Sequence, residues 1–253
     1  MNTPERVVDI LDTLASAAGP CGVSEISRQL GIGKNNVFRI LSALECKGWV
    51  QQDIESKKYS LTGAMAGVAL KALSQLDIQK VSLPYLHELQ AITGETSALS
   101  IRFELERMFI NCIPSNHNVR HVVTVGERRS LWYGSGGKAI LAFMTEEEIE
   151  AVLNEFSSSG VSVLAGGQAV TVESLHEELV QIRKQGYAVA SGERYSEVCG
   201  VSAPIFNHNQ KVVGCISVSG PTSRFDREKA LHYSTLIMEK ARKIGSILGA
   251  KVA

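Results

Sequence analysis

Val37, Ile40, Leu41 and Leu44 recur at i, i+3, i+4 and i+7, one apolar stripe on a 3.6-residue period, and they predict a helix ending near Gly48, a residue suited to a left-handed C-cap. An earlier helix is expected over 4–17, with Thr3 as cap, Pro4 in the first turn, and Val7, Leu11, Leu14 and Ala18 turned inward. Gly19-Pro20 ends it. Between the two, Ser24 is the expected N-cap of a short helix that buries Ile26 and Leu30, and Gly31 permits the turn that follows. Trp49 and Val50 open a polar hairpin pattern that closes with Lys57, Lys58, Tyr59, Ser60, Leu61 and Thr62. Helix, turn, helix and β-ribbon in that order predict a winged helix-turn-helix, with the polar face of its second motif helix free for a DNA groove.

The pattern then changes. An alanine-rich apolar stretch over 64–73 suits a helix that packs closely on a partner helix, and by residue content alone equally suits a plain connector. Val81, Leu83, Leu86, Leu89 and Ile92 predict another buried helix face ending at Gly94. Strands are expected over 95–103 and 107–113, where Phe109, Asn111 and Ile113 alternate, and 122–125 continues that sheet. Helices follow over 134–143, after a capping box at 145–148, and over 172–184 with Leu175, Leu179 and Ile182 inward. Strands at 187–191, 201–206 and 212–218 lead to a last helix over 226–248. Strands, then helices, then strands indicate an α+β sandwich rather than a doubly wound parallel sheet. The expected division is a winged helix over 1–62, a linker helix over 63–77 and an α/β domain over 78–253, long enough for a core in each of the two larger parts.

Charge changes this picture only locally. The chain holds 26 basic and 26 acidic residues, and residues 1–62 balance as well, with seven of each. Phosphates respond to a face within a Debye length of about 8–10 Å, so placement outweighs the total. No carboxylate occurs between Arg28 and Leu44. The residues expected to face DNA are Ser24, Arg28, Lys34, Asn35, Asn36, Phe38 and Arg39, with Lys57 and Lys58 from the wing. Lys, Arg and Asn are the types that bond phosphates or the edges of guanine and adenine. The modest basic face predicts moderate affinity per subunit, and hence binding as a dimer. From the residues alone, a three-helix subdomain that binds a protein, or binds nothing, stays open.

Five scattered cysteines (21, 46, 112, 199, 215) make neither a disulfide framework nor a paired zinc signature. Neither a signal peptide nor an apolar run long enough to span a bilayer is visible, so a reducing cytoplasmic setting without membrane contact is expected. The glycine-rich turn at Gly134, Ser135, Gly136 and Gly137 fails as a phosphate loop, because Trp132 and Ala139 stand where Gly and Ser or Thr are needed. Its free amides suit a carboxylate ligand, and its glycines equally suit close packing of a helix on a sheet. A serine-hydrolase elbow is missing. Cys199 reads as a bystander thiol, His208 as part of a hairpin tip, and His117 and His121 as solvated loop histidines. Neither a metal site nor a cofactor site is expected, and an enzyme would need an acid–base or nucleophilic constellation that the sequence does not display.

Four blocks of sequence occur together: Ile40-Leu-x-x-Leu44-x-x-x-Gly48-Trp; Gly136-Gly-Lys-Ala-Ile-Leu-Ala142; Ile182-Arg-x-x-Gly186-Tyr-Ala with Glu193 and Gly200 beyond; and Ala203-Pro-Ile-Phe through Gly214-Cys-Ile-Ser217-Val-Ser-Gly-Pro221. In this order and spacing, over nearly the whole chain, they resemble the isocitrate lyase regulator (IclR) family of prokaryotic transcription factors. The resemblance implies a winged helix, a linker helix and a GAF-like effector domain, in a homodimer or homotetramer that binds double-stranded DNA and a small organic acid or aromatic effector. It implies an effector pocket at the turn 134–138 (Gly134, Ser135, Gly136, Gly137), Ala190, Glu193, Gly200, and the pair Ser217 and Ser219. These two serines alternate on one strand and so share a face. Without the resemblance they read as a solvent-facing pair. Family members that bind short keto acids carry an acidic residue at the position of Ala190 and a Cys at that of Gly200. The departures predict a roomier, less polar pocket and an effector larger than glyoxylate or pyruvate.

Overall fold

A computed structural model of the chain describes residues 3–17, 19–65, 67–68, 78–161 and 163–251. It divides into two compact units between residues 76 and 77. Most of the expected linker helix (69–77) lies outside the described residues, while 63–65, 67 and 68 are helical.

The first unit packs α1 (Thr3–Ser16), α2 (Val23–Leu30) and α3 (Lys34–Cys46) with the ribbon β1 (Val50–Gln52) and β2 (Tyr59–Leu61). Val37, Ile40, Leu41 and Leu44 meet Ile10, Leu14, Ile26, Ile32, Val50 and Tyr59 in one core. Leu14 is buried as expected, Val7 and Leu11 are only partly buried against the core, Ile10 joins Leu14 on the inward face of α1, and Ala18 lies outside the described residues. The cap of α2 is Gly22, not Ser24: the Glu25 carboxylate reaches back to accept from the Gly22 amide at 2.7 Å, and Ser24 is exposed. Gly31, at φ 66°, turns the chain between α2 and α3. Gly48 ends α3 at φ 70°, where its amide donates to Glu45 O at 2.8 Å and that of Trp49 to Leu44 O at 3.0 Å. This paired closure satisfies two orphan carbonyls and aims the chain into β1.

The second unit is built on six strands: β3 (Thr96–Phe103), β4 (Glu106–Ile113), β5 (Arg128–Ser130), β6 (Ala188–Ser191), β7 (Val198–Phe206) and β8 (Val212–Pro221). Their order is β5-β4-β3-β8-β7-β6, and every neighbouring pair is antiparallel, which excludes the doubly wound alternative. Helices α4 (Ile78–Thr93) and α8 (Arg227–Ile247) pack on each other and on the sheet. The short α5 (Gly134–Leu141) lies on β6, β7 and β8 and is backed by α6 (Glu146–Ser158) and α7 (Val172–Gln185).

Two sequence expectations fail here. Leu83 and Ile92 of α4 are exposed, and the buried stripe is Ser82, Leu86 and Leu89. Residues 122–125 form no strand. They belong to a connection on which Val119, Val122 and Val125 are exposed, and the third strand of that edge is β5.

Gly48→Ala should destabilise the first unit by about 1 kcal/mol, because open space surrounds the site and only the left-handed backbone penalises a Cβ. Urea unfolding followed by Trp49 fluorescence in a Trp132→Phe background reads it. An unchanged midpoint would mean that the cap carries no strain.

Candidate functional site

Two surfaces carry the sequence-derived candidates. On the first unit, Lys34, Asn35, Phe38 and Arg39 are exposed along α3, Asn36 is half-buried, and Arg28 is exposed in the last turn of α2. Phe38 leaves 55% of its surface open, an apolar group of the kind that meets a thymine methyl. Lys57 is exposed on the wing turn at φ 58°, and Ile54 beside it is 83% exposed. Lys58 is not a free cation, since its Nζ lies 3.2 Å from Glu25 Oε1. That pair is exposed and of small energy, so a phosphate can compete for Lys58.

The second surface is a solvent-open cleft with a cavity volume of about 60 Å³ between the start of α5, the sheet and the connection 114–127. Register explains how distant residues meet. Thr96, Ser219, Gly200 and Ala190 stand in one row across β3, β8, β7 and β6, and Ala98, Ser217, Ser202 and Ala188 form the row two residues away. Gly134, Ser135, Gly136, Ala190, Glu193, Gly200, Ser217 and Ser219 all line the cavity. Gly137 does not: it lies against the chain, where a Cβ would come within 2.7 Å of Leu131 O. Ser135 Oγ and Ser202 Oγ bond at 2.8 Å, and Ser217 Oγ donates to Ala98 O at 3.2 Å.

Glu193 is used within the protein. Its Oε2 accepts the Gly134 amide at 2.6 Å, and its other oxygen accepts from Lys138 Nζ. Lys138 is 2% exposed, also pairs with Glu178 at 2.6 Å, and faces away from the cavity. One amide at the α5 terminus is therefore already occupied by a protein carboxylate. The following two, of Ser135 and Gly136, have no acceptor within the helix by position.

The remaining wall carries the cations Arg107, Arg129 and Arg194. Arg107 and Arg129, paired across β4 and β5, hold their guanidinium carbons 4.7 Å and 4.9 Å from the Phe109 ring centroid. Arg129 donates twice to Glu127, at 2.9 Å each, and Arg194 donates to Tyr133 Oη at 2.9 Å and lies 3.2 Å from Glu127. Arg107 is 5% exposed and reaches only Ser100 Oγ, at 3.3 Å. Among the described residues no carboxylate pairs with it, and its Nε has no partner. Burial, reinforced by the Arg129 charge, pulls its pKa below the ordinary value. Nor does Gly200 widen the space, because a Cβ there would meet Ser135 Oγ at 3.0 Å and Ser219 Cβ at 3.2 Å.

His121 is no solvated loop residue. Its ring lines the cavity, with Nδ1 2.8 Å from Ser219 Oγ and Nε2 buried without a partner. Thr96 Oγ1 donates to its carbonyl at 2.8 Å, and Arg224 donates to Val119 O at 2.8 Å, so the connection is tied down at His121 and two residues before it. Burial first, then the Arg129 and Arg107 charges, lower its pKa to about 4. Arg107, Arg129, Arg194, His121 and Tyr133 were all missed from the sequence. Arg107 alone left a signal there, a cation two residues before Phe109 on the inward side of an alternating strand.

Cys199 and Cys215 are buried thiols whose pKa burial pushes up. Among the described residues no cluster of His, Cys, Asp and Glu could hold a metal ion, and no helix is long and apolar enough to cross a membrane.

The family description "Bacterial transcriptional regulator IclR C-terminal" matches residues 70–246, and "IclR helix-turn-helix domain" matches residues 3–53. The HTH-type transcriptional regulator KdgR of Escherichia coli K12 is 30% identical over 246 residues, covering 96% of this chain and 91% of its own length. The HTH-type transcriptional repressor AllR of Salmonella typhimurium LT2 is 29% identical over 247 residues, 98% of this chain and 90% of its own. Among solved structures, HmgR of Pseudomonas aeruginosa superposes with a TM-score of 0.80 at 25% identity, covering 100% of both chains.

A folded His121 pKa of about 4 lies below the unfolded value, so its contribution is fully present above pH 6.5 and is lost as pH falls towards 4. Between pH 7 and pH 5 the wild type should lose on the order of 2 kcal/mol more than His121→Gln in urea unfolding. Parallel pH profiles would show that His121 protonates freely in the folded state.

Proposed function

This chain belongs to the IclR family of bacterial transcriptional regulators, and from that premise we propose a ligand-responsive regulator that binds its operator as a homodimer or a tetramer and takes a small organic acid in the cavity of its second unit. DNA binding follows from the family. The proposed contacts are Lys34, Asn35, Asn36, Phe38 and Arg39 in the major groove, with Ser24 and Arg28 at the backbone and Lys57 and Lys58 from the wing.

The observation that carries the effector reading is the buried Arg107 guanidinium with no carboxylate beside it. An uncompensated cation in a protein interior is costly, and an anionic ligand removes the cost. The Ser135 and Gly136 amides and the Ser217 and Ser219 hydroxyls supply the further bonds that a carboxylate or its substituents need. Ligand binding biases the placement of the two winged helices through the segment between the units. A coupling of about 1–3 kcal/mol is enough to change operator affinity roughly 5–150-fold.

Footprinting on the promoter upstream of the protein's own coding region, with and without candidate acids, tests the whole reading; no salt-dependent protection would sink it. Arg39→Ala should weaken the operator complex by about 1–3 kcal/mol and relax sequence preference at one base pair. Equal weakening on all sequences would make Arg39 a phosphate contact.

Arg107→Met should leave the free protein as stable or more so, since it deletes an unpaired buried charge, and should abolish the thermal stabilisation that acids confer. Acids that still stabilise this variant would place the carboxylate elsewhere.

A further inference from the structure

A separate hollow of the second unit lies where the sheet runs out of strands. Strand β6 pairs with β7 only as far as Ala188 and Ser202, while β7 runs on to Phe206 with β8 alone beside it. Pro204, which has no amide to leave unpaired, suits this open edge. Ala203, Pro204 and Phe206 border a cavity of about 500 Å³ there. Phe143, just after α5, meets Phe206 edge to face at 5.2 Å between centroids. Met238, Ala241, Arg242 and Gly245 recur at i, i+3, i+4 and i+7 and so present one side of α8 to the hollow. Met238 Sδ closes the gap to the end of α7, since a Cβ on Gly186 would stand 3.2 Å from it. The chain after α8 folds back over the same side, with the Ala250 amide donating to Gly245 O at 2.8 Å. The volume falls within the range of sites that hold a drug-sized molecule, roughly 300–1,000 Å³. The cleft at Arg107, at about 60 Å³, shares no lining residue with it.

The rim carries one sign of charge. Arg183, Lys184, Arg242 and Lys251 border the hollow, and among the described residues no Asp or Glu does. Arg183 is spent within the protein, on Ala142 O and on Glu146 at 2.7 Å. Lys184, Arg242 and Lys251 are exposed, and among the described residues they have neither a hydrogen-bond partner nor an ion-pair partner. The negative pole of α7 accounts for Lys184, which stands in its last turn. It does not account for Arg242, more than a turn before the end of α8 and on the same side as Met238. An apolar hollow under an all-cationic rim complements a molecule with an apolar body and an anionic head. We propose that this hollow is a second ligand site, for an amphipathic carboxylic acid. Its hydrocarbon body lies against Phe143, Phe206 and Met238, and its carboxylate lies at Arg242 and Lys184. A neutral molecule with the same body gains nothing from the rim, and a cation is repelled by it.

The test is calorimetric titration of the purified full-length protein at neutral pH with butanoate, hexanoate, octanoate and decanoate, and with octan-1-ol and octylammonium. The acids should bind at one site, with affinity rising about tenfold for each two methylenes added. Octan-1-ol should bind about tenfold more weakly than octanoate, and octylammonium should not bind. Arg242→Glu changes an exposed residue and should weaken octanoate about tenfold or more while leaving octan-1-ol unchanged. Lys184→Glu, on a different helix, should act in the same direction and covers a folding defect in the first variant. Arg107→Met should leave octanoate binding as it is, which separates this site from the one in the function proposed above. Octanoate binding that survives Arg242→Glu but not Arg107→Met belongs to the Arg107 cleft and overturns the proposal. Equal affinity for octanoate and octan-1-ol, affinity independent of chain length, or no binding as far as decanoate overturns it as well.

Discussion

The contact on which the cavity of the second unit depends is the Glu193 carboxylate, held at once by the Gly134 amide and the Lys138 ammonium. A lysine 2% exposed must be paired, and this one draws Glu193 on one side and Glu178 on the other. The first turn of α5 is thereby locked beside the strand pair β6–β7. Its glycines then face Arg107, whose guanidinium lies where a Cβ on Gly136 would stand. With Glu193 spent on the lock and Glu127 spent on Arg129 and Arg194, no carboxylate of the cavity is left for Arg107. The unpaired charge follows from how the other charges are distributed.

The two units treat cations in opposite ways. On the first, Lys34, Arg39, Arg28 and Lys57 stand in solvent, where each costs little whether or not an acid is near, as Glu25 is to Arg28 and Asp53 is to Lys57. In the second, Arg107 is taken out of water, and on the function proposed above a small anion in the cavity would meet its electrostatic demand. A net charge of zero hides both arrangements. Only a local account of which cation has a partner separates them. The buried thiols beside the sheet, Cys199 and Cys215, are raised away from the thiolate form, so they do not supply a nucleophile to the cavity.

The two failed readings of the second unit share a cause. Apolar residues were assigned inward wherever a period allowed it, which placed Leu83 and Ile92 in the core and made a strand of 122–125. On α4 the buried stripe runs through Ser82, and a small polar residue carries no hydrophobic signal. The connection 114–127 spends its valines on solvent because its hydrogen bonds through Thr96 and Arg224 serve to hold His121 over the sheet. Likewise Gly22 caps α2 through a neighbour's carboxylate, so the side-chain preference that pointed to Ser24 had nothing to act on.

By itself the sequence determined whatever depends on local periodicity and backbone chemistry. That covers the stripe on α3, the turn at Gly31, the left-handed stop at Gly48, the capping box at Thr145, the α+β order of elements, and the block spacing that resembles one family. These are decided by residues within a few positions of one another, where side-chain type and spacing are the physics. Tertiary structure alone decided which charges are left over. Arg107, Arg129, His121 and Glu193 come from four separate stretches, and their roles depend on distances between them that no period encodes. Pairing is exclusive: each carboxylate taken by one cation is denied to another, so the chemistry of the cavity emerges only once every partner has been assigned in space.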